Sequence, residues 1–112
     1  MLDYDREAAR YDATRGGDAR AQAAADAIET LLTGLEADPA RIFDVGCGTG
    51  IVTARLARPT RSVAGVDRSG GMAAVAAARL PGRITLGDGS RLPLRRESVD
   101  AVTMVWLLHL LN

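Results

Sequence analysis

No lysine occurs among the 112 residues, so all fourteen basic side chains are arginine. A phosphate-binding loop of the G-x-x-x-x-G-K-[ST] kind, whose lysine reaches the phosphates, is thereby excluded. The single cysteine, Cys47, rules out an intramolecular disulfide. Net charge is also missing: fourteen acidic residues balance the arginines. Such a balance generates no field to gather nucleic acid or to hold the chain on an acidic membrane surface. No apolar run approaches the ~18 residues of a membrane span, and no signal-peptide pattern is present, so a cytoplasmic, soluble protein is expected. The length suits one domain and not two. Arginine without lysine, together with abundant alanine, reads as the base composition of a high-GC gene and not as an arginine-rich binding patch.

Against these absences stands one dense stretch, Arg41-Ile42-Phe43-Asp44-Val45-Gly46-Cys47-Gly48-Thr49-Gly50. An apolar run stops in three alternating glycines, and Ile51-Val52-Thr53-Ala54-Arg55-Leu56-Ala57-Arg58 follows at once. That order predicts a strand, a tight turn and a helix. Residues without Cβ can take φ > 0 and let a ligand approach the main chain. A helix starting there would point free N–H groups into the same space, which favours an anionic or carboxylate-bearing ligand. The nicotinamide and flavin fingerprint requires G-x-G-x-x-G. Here the third glycine would fall at Ile51, so a nicotinamide-dependent oxidoreductase predicts the wrong spacing. Cys47 occupies a small-residue position of the turn. A nucleophilic thiol is the alternative, since a helix N-terminus lowers a thiol pKa.

The remaining chain supplies further elements. Residues 1–17 are polar and irregular. Residues 18–35 form a predicted helix, with Asp18 at its N-cap, Gly34 near its end, and Ala21, Ala24, Ala25, Ile28, Leu31, Leu32 and Leu35 along one face. Arg61-Ser62-Val63-Ala64-Gly65-Val66-Asp67 is a second strand ending in an acid, placed where a ribose would present two hydroxyls to a carboxylate. A loop aspartate capping the next helix is the competing reading of Asp67. Ser69 is a candidate cap for a helix over residues 70–80, which Pro81-Gly82 ends. Residues 83–87 and 97–105 are the third and fourth strands.

Asp44-Val45-Gly46-Cys47-Gly48-Thr49-Gly50 resembles the first motif of class I S-adenosylmethionine-dependent methyltransferases, of the small-molecule type related to the ubiquinone and menaquinone biosynthesis enzymes. Asp67-Arg68-Ser69-Gly70-Gly71-Met72 and Gly87-Asp88-Gly89-Ser90-Arg91-Leu92-Pro93-Leu94 resemble later motifs of that family. The resemblance implies a Rossmann-like α/β fold with S-adenosylmethionine as cofactor. It implies that Asp44, Gly46, Cys47, Gly48 and Gly50 border the cofactor, with Asp67 and Arg68 at the ribose. Met72 would pack on the adenosine, although a methionine in a helix is more often core. Asp88 would accept from the adenine amino group, with Gly89 in place of the family's alanine; a plain Asp-Gly turn is the alternative. Tyr11-Asp12-Ala13-Thr14-Arg15 resembles the family's N-terminal lid, in which Tyr11 lies near the methionine end and Arg15 near its carboxylate. As residues alone, they fit an ordinary polar terminus. Val105 and Trp106 would line the methionine side. His109 would be a general base, or simply a packed histidine.

The expected organisation is therefore a lid at 1–17 and a partial cofactor domain at 18–112, covering about the first half of the family fold. Parallel crossovers are right-handed in about 98% of cases. Strands in the order 3-2-1-4 then place the helices mainly on one sheet face and leave the other nearly bare, with an apolar edge strand. That surface predicts a homo-oligomer or a partner chain. Two functions fit: methyl transfer to a small-molecule acceptor, completed by a second chain or a missing C-terminal half, or an inactive cofactor-binding or interaction protein.

Overall fold

The computed structural model describes residues 8, 10–88 and 99–104. In chain order these form α1 (Tyr11–Thr14), α2 (Gly17–Leu32), β1 (Arg41–Val45), a 3-10 turn (Thr53–Leu56), β2 (Ser62–Asp67), α3 (Gly70–Arg79), β3 (Ile84–Leu86) and β4 (Ala101–Thr103). The four strands make one parallel sheet in the order β3-β2-β1-β4. This is the Rossmann-like arrangement expected from the sequence.

Strand alternation divides the core in two. Ile42 of β1 and Val63 of β2 pair in register and point to one face. There Ala21 and Ala25 of α2 pack on them with Val52 and Leu56, and Leu80 joins from beyond α3. The alanines bring α2 close to the sheet, and Leu56 is completely buried. Phe43, Val45 and Val66 point to the opposite face and cluster with Ala64 and Val99. A nearly bare second face is not what the structure shows at its centre: Phe43 is 3% exposed and Val66 0%. The chain entering β4 lays Val99 across that centre. Exposure gathers instead at β4, where Val102 and Met104 are 46% and 51% exposed.

Four local expectations are corrected. The helix predicted over residues 51–58 is only the single turn Thr53–Leu56. Pro59 disfavours a helical Arg58, Ala57 is already extended, and Arg58 and Arg61 close a tight antiparallel turn. Asp18 does not cap α2, because Gly16 holds that position at φ 94°. Asp18 lies instead in the first turn and meets Arg55 at 3.0 Å. Leu31 and Leu35 were assigned to the apolar face but are 76% and 49% exposed: the packed face runs through Ala21, Ala25, Ile28 and Leu32, which turns Leu31 off it, and α2 ends before Leu35. Part of the polar N-terminus, expected to be irregular, forms the one-turn α1.

One unforeseen group clamps the foot of the sheet. Arg61 is 4% exposed. Its guanidinium donates to the carbonyls of Pro39 and Leu56, to Glu29 of α2 at 2.5 Å, and to Asp38. A charge buried so deeply requires these partners.

Candidate functional site

The glycine turn leaves β1 at its carboxyl end, where the strand order reverses between β1 and β4. Crevices of open α/β sheets bind ligands at that point. Gly46, Gly48 and Gly50 all have positive φ, at 71°, 59° and 76°. At Gly50 the requirement is double, because a Cβ there would also stand 3.2 Å from the Ala76 Cβ of α3. The Gly46 and Cys47 amides both donate to the Val66 carbonyl, at 2.9 and 3.0 Å, which folds the turn toward β2. Gly65 of β2 permits this approach: a Cβ there would lie 2.9 Å from that of Cys47. Nothing in the linear sequence marks Gly65 for that role.

Asp67 stands at the end of β2, directly beside the turn. Its Oδ2 accepts from the Gly48 amide at 2.8 Å and its Oδ1 from the Ser69 amide at 2.9 Å. The carboxylate thus braces the turn and still has lone pairs for two further donors. Ser69 caps α3 by accepting from the Met72 amide at 3.2 Å, as expected. Arg68 and Asp88 are exposed, whereas Met72 is 2% exposed and packed as core.

Asp44 lies beneath the turn, only 3% exposed. Thr53 and Thr103 donate their hydroxyls to its two oxygens, at 2.6 and 2.8 Å. Burial pushes its carboxyl up to about 6, the two hydroxyls partly offset that, and the negative charge of Asp67 adds to it. Asp44 therefore joins β1, β4 and the 3-10 turn from within, and does not open onto the crevice. Burial likewise pushes the Cys47 thiol up to about 12, with Asp44 and Asp67 adding to the shift. A thiol so placed is the opposite of an activated nucleophile.

The expected helix dipole is also reduced, because the segment after the turn is a single 3-10 turn. Donor groups of the loop backbone must carry more of any anion binding. Tyr11, Asp12, Arg15, Gly17, Arg20, Ala21, Ile51 and Val52 line a cavity of about 330 Å³ between the N-terminal segment and the turn's exit. The structure thus brings Tyr11 and Arg15 beside the glycine turn, with the Arg15 guanidinium 4.9 Å from the centre of the Tyr11 ring. Gly89, Val105, Trp106 and His109 lie outside the described residues. Among the described residues no cluster of metal-ligating side chains occurs, and no helix is long and apolar enough to cross a membrane.

A sequence profile described as a methyltransferase domain matches residues 43–112. The chain belongs to the class I S-adenosylmethionine-dependent methyltransferases. It is similar to a malonyl-[acyl-carrier protein] O-methyltransferase of Geobacter sulfurreducens, with 37% identity over 96% of this chain and 43% of the relative. Among solved structures it is similar to an amino pentose methyltransferase from Micromonospora echinaspora, determined with S-adenosylmethionine bound. The identity is 34% and the TM-score 0.62, over 95% of this chain and 43% of that one. DesVI of Streptomyces venezuelae superimposes with a TM-score of 0.71 at 26% identity, over 95% of this chain and 44% of that one. The methyltransferase chain described here therefore spans less than half the length of each of these relatives.

Proposed function

We propose that the chain forms the cofactor half of a methyltransferase that transfers a methyl group from S-adenosylmethionine to a small-molecule acceptor. The observation that carries this reading is the joining of Asp67 to the glycine turn through the Gly48 amide. A ribose acceptor and a main-chain cradle are thereby held in one rigid unit. The residues suit the cofactor chemically: positive-φ glycines leave the main chain open to its amino-acid end, and a carboxylate with spare lone pairs suits its two ribose hydroxyls.

In this reading Gly46, Cys47, Gly48 and Gly50 cradle the amino-acid end, with Tyr11 and Arg15 closing over it. Asp67 and Arg68 take the ribose side, while Asp88 and Gly89 take the adenine edge. Asp44 supports the cradle from below, and Met72 supports the adenosine side through α3. Val105 and Trp106 line the methionine side, and His109 accepts a proton from an acceptor that carries one. S-adenosylmethionine, when bound, supplies a methyl group already activated on a sulfonium sulfur. The task of the protein is orientation, which can lower a barrier by about 7–11 kcal/mol. Orientation of the acceptor calls for further walls, and the relatives are more than twice as long as this chain. We therefore assign those walls to residues beyond these 112, from a continuation or a second chain. Two of the relatives named above carry unlike acceptors in their names, a malonyl-[acyl-carrier protein] and an amino pentose, so the acceptor class is left general.

Calorimetric titration tests the reading. S-adenosylmethionine and S-adenosylhomocysteine should bind competitively, and NAD should give no heat of binding. Binding of NAD, or of none of the three, would overturn it.

A further inference from the structure

α1 has four residues, far too few for a helix to persist on its own in water. Its position must come from contacts with the rest of the fold, and Asp12 makes a polar set of them. Asp12 Oδ1 accepts the Thr49 hydroxyl at 2.5 Å, and Asp12 Oδ2 pairs with Arg79 Nη2 at 2.9 Å. Arg79 Nη1 donates at 2.8 Å to the Thr49 carbonyl, which closes the triangle. Three separate elements meet there: the N-terminal segment, the glycine turn and the last turn of α3. The Asp12 side chain is 20% exposed and that of Arg79 35%, while Thr49 is 2% exposed. Ion pairs shielded to this degree keep more of their attraction than surface pairs do.

The other end of α1 is built to turn. Gly16 and Gly17 are consecutive glycines with φ of 94° and 59°, the N-cap and first residue of α2. Such a joint permits backbone rotation that other residues resist. Tyr11 and Arg15, which line the cavity, therefore sit on a short lever with a glycine pivot and a polar fastening at Asp12.

We propose that Asp12 and Arg79 are positioning residues whose clasp on Thr49 holds α1 over the glycine turn and sets how long the cofactor stays bound. This rests on the cofactor reading given above. Asp12 and Arg79 act through α1 and Thr49, and the assignment requires neither to touch the cofactor.

The test uses Asp12→Asn, Arg79→Met, the double variant and the conservative Arg79→Lys in the full chain. Release of tritiated S-adenosylmethionine after dilution into unlabelled cofactor is the first readout. Each of the first two variants should release it about tenfold faster, equivalent to about 1.4 kcal/mol. The association rate should change far less. The double variant should be no faster than either single one, because both remove the same contact, and Arg79→Lys should recover most of the wild-type rate. Trypsin cleavage after Arg10 and Arg15, measured without cofactor, is the second readout and should accelerate in parallel. Unchanged release, or effects of the two substitutions that simply add, would overturn the proposal. Faster cleavage with unchanged release would overturn it too, leaving the clasp without influence on the cofactor. A wild-type chain that binds no cofactor would sink the reading beneath it, and the cleavage arm would still report separately whether the clasp exists.

Discussion

Replacing Asp67 by alanine separates a ligand-binding carboxylate from a merely structural one. In the structure this side chain accepts two amide hydrogen bonds, from Gly48 at 2.8 Å and Ser69 at 2.9 Å. Hydrogen bonds to a charged group are worth about 1.5–3 kcal/mol each. The half-exposed setting of Asp67 and access of water to the freed amides favour the lower part of that range. Loss of the brace, two such bonds, should therefore cost about 3 kcal/mol of stability. If the carboxylate also receives ribose hydroxyls, cofactor affinity must fall as well, by at least about tenfold or 1.4 kcal/mol. Asp67→Asn keeps an acceptor oxygen for one amide and should fall between wild type and alanine on both scales. Urea denaturation gives the first quantity and calorimetric titration the second. A chain destabilised by Asp67→Ala that binds S-adenosylhomocysteine as tightly as before would refute the ribose assignment and leave Asp67 as a brace alone.

Asp44 predicts a pH dependence. Its folded pKa of about 6 lies above the ordinary carboxyl value of 3.8, so the native state binds the proton more tightly than the unfolded chain does. This contribution is fully present below about pH 4 and is lost as pH rises through about 6, a change on the order of 3 kcal/mol. Asp44→Asn should flatten that slope in denaturation curves between pH 4 and 8, and an unchanged slope would contradict the assignment. Cys47, with its thiol near 12, should resist disulfide-exchange reagents at pH 8 in the folded chain and react promptly in urea; fast native-state labelling would count against its buried placement. Arg61→Met should destabilise the chain by about 1–3 kcal/mol, because the Pro39 and Leu56 carbonyls lose a buried donor and Glu29 keeps only Arg58 of its two arginine partners. Denaturant melts with a midpoint unmoved by that change would show the clamp to be idle.

The residues that were legible in the sequence are those whose role is local. Alternating glycines after an apolar run specify a turn whatever surrounds them, and Asp67 follows from its place at the end of the next strand. The strand order came with the resemblance to the methyltransferase family, and Ser69 followed from its position ahead of a helical run. What escaped was set by contacts distant in sequence. Thr53 and Thr103 look like ordinary strand or helix residues until the fold sets both against Asp44. Gly65 gains its meaning only when Cys47 is brought against it. Arg61 reads as a polar strand start, yet Glu29 and Asp38 reach it from more than twenty residues away. The predicted helix after the glycine turn failed for a local reason, since Pro59 ends the room available to it. The bare second face failed because sequence periodicity does not show where a connecting segment lays a residue such as Val99.

The central claim is that the glycine turn and the Asp67 carboxylate hold the two ends of one nucleoside. A crystal structure with S-adenosylhomocysteine tests it most directly. Both ribose hydroxyls should lie within hydrogen-bond distance of Asp67, and the amino-acid tail should run along the Gly46–Gly50 backbone beneath Tyr11 and Arg15. A nucleoside bound elsewhere on the chain, or one whose sugar points away from Asp67, would contradict the account.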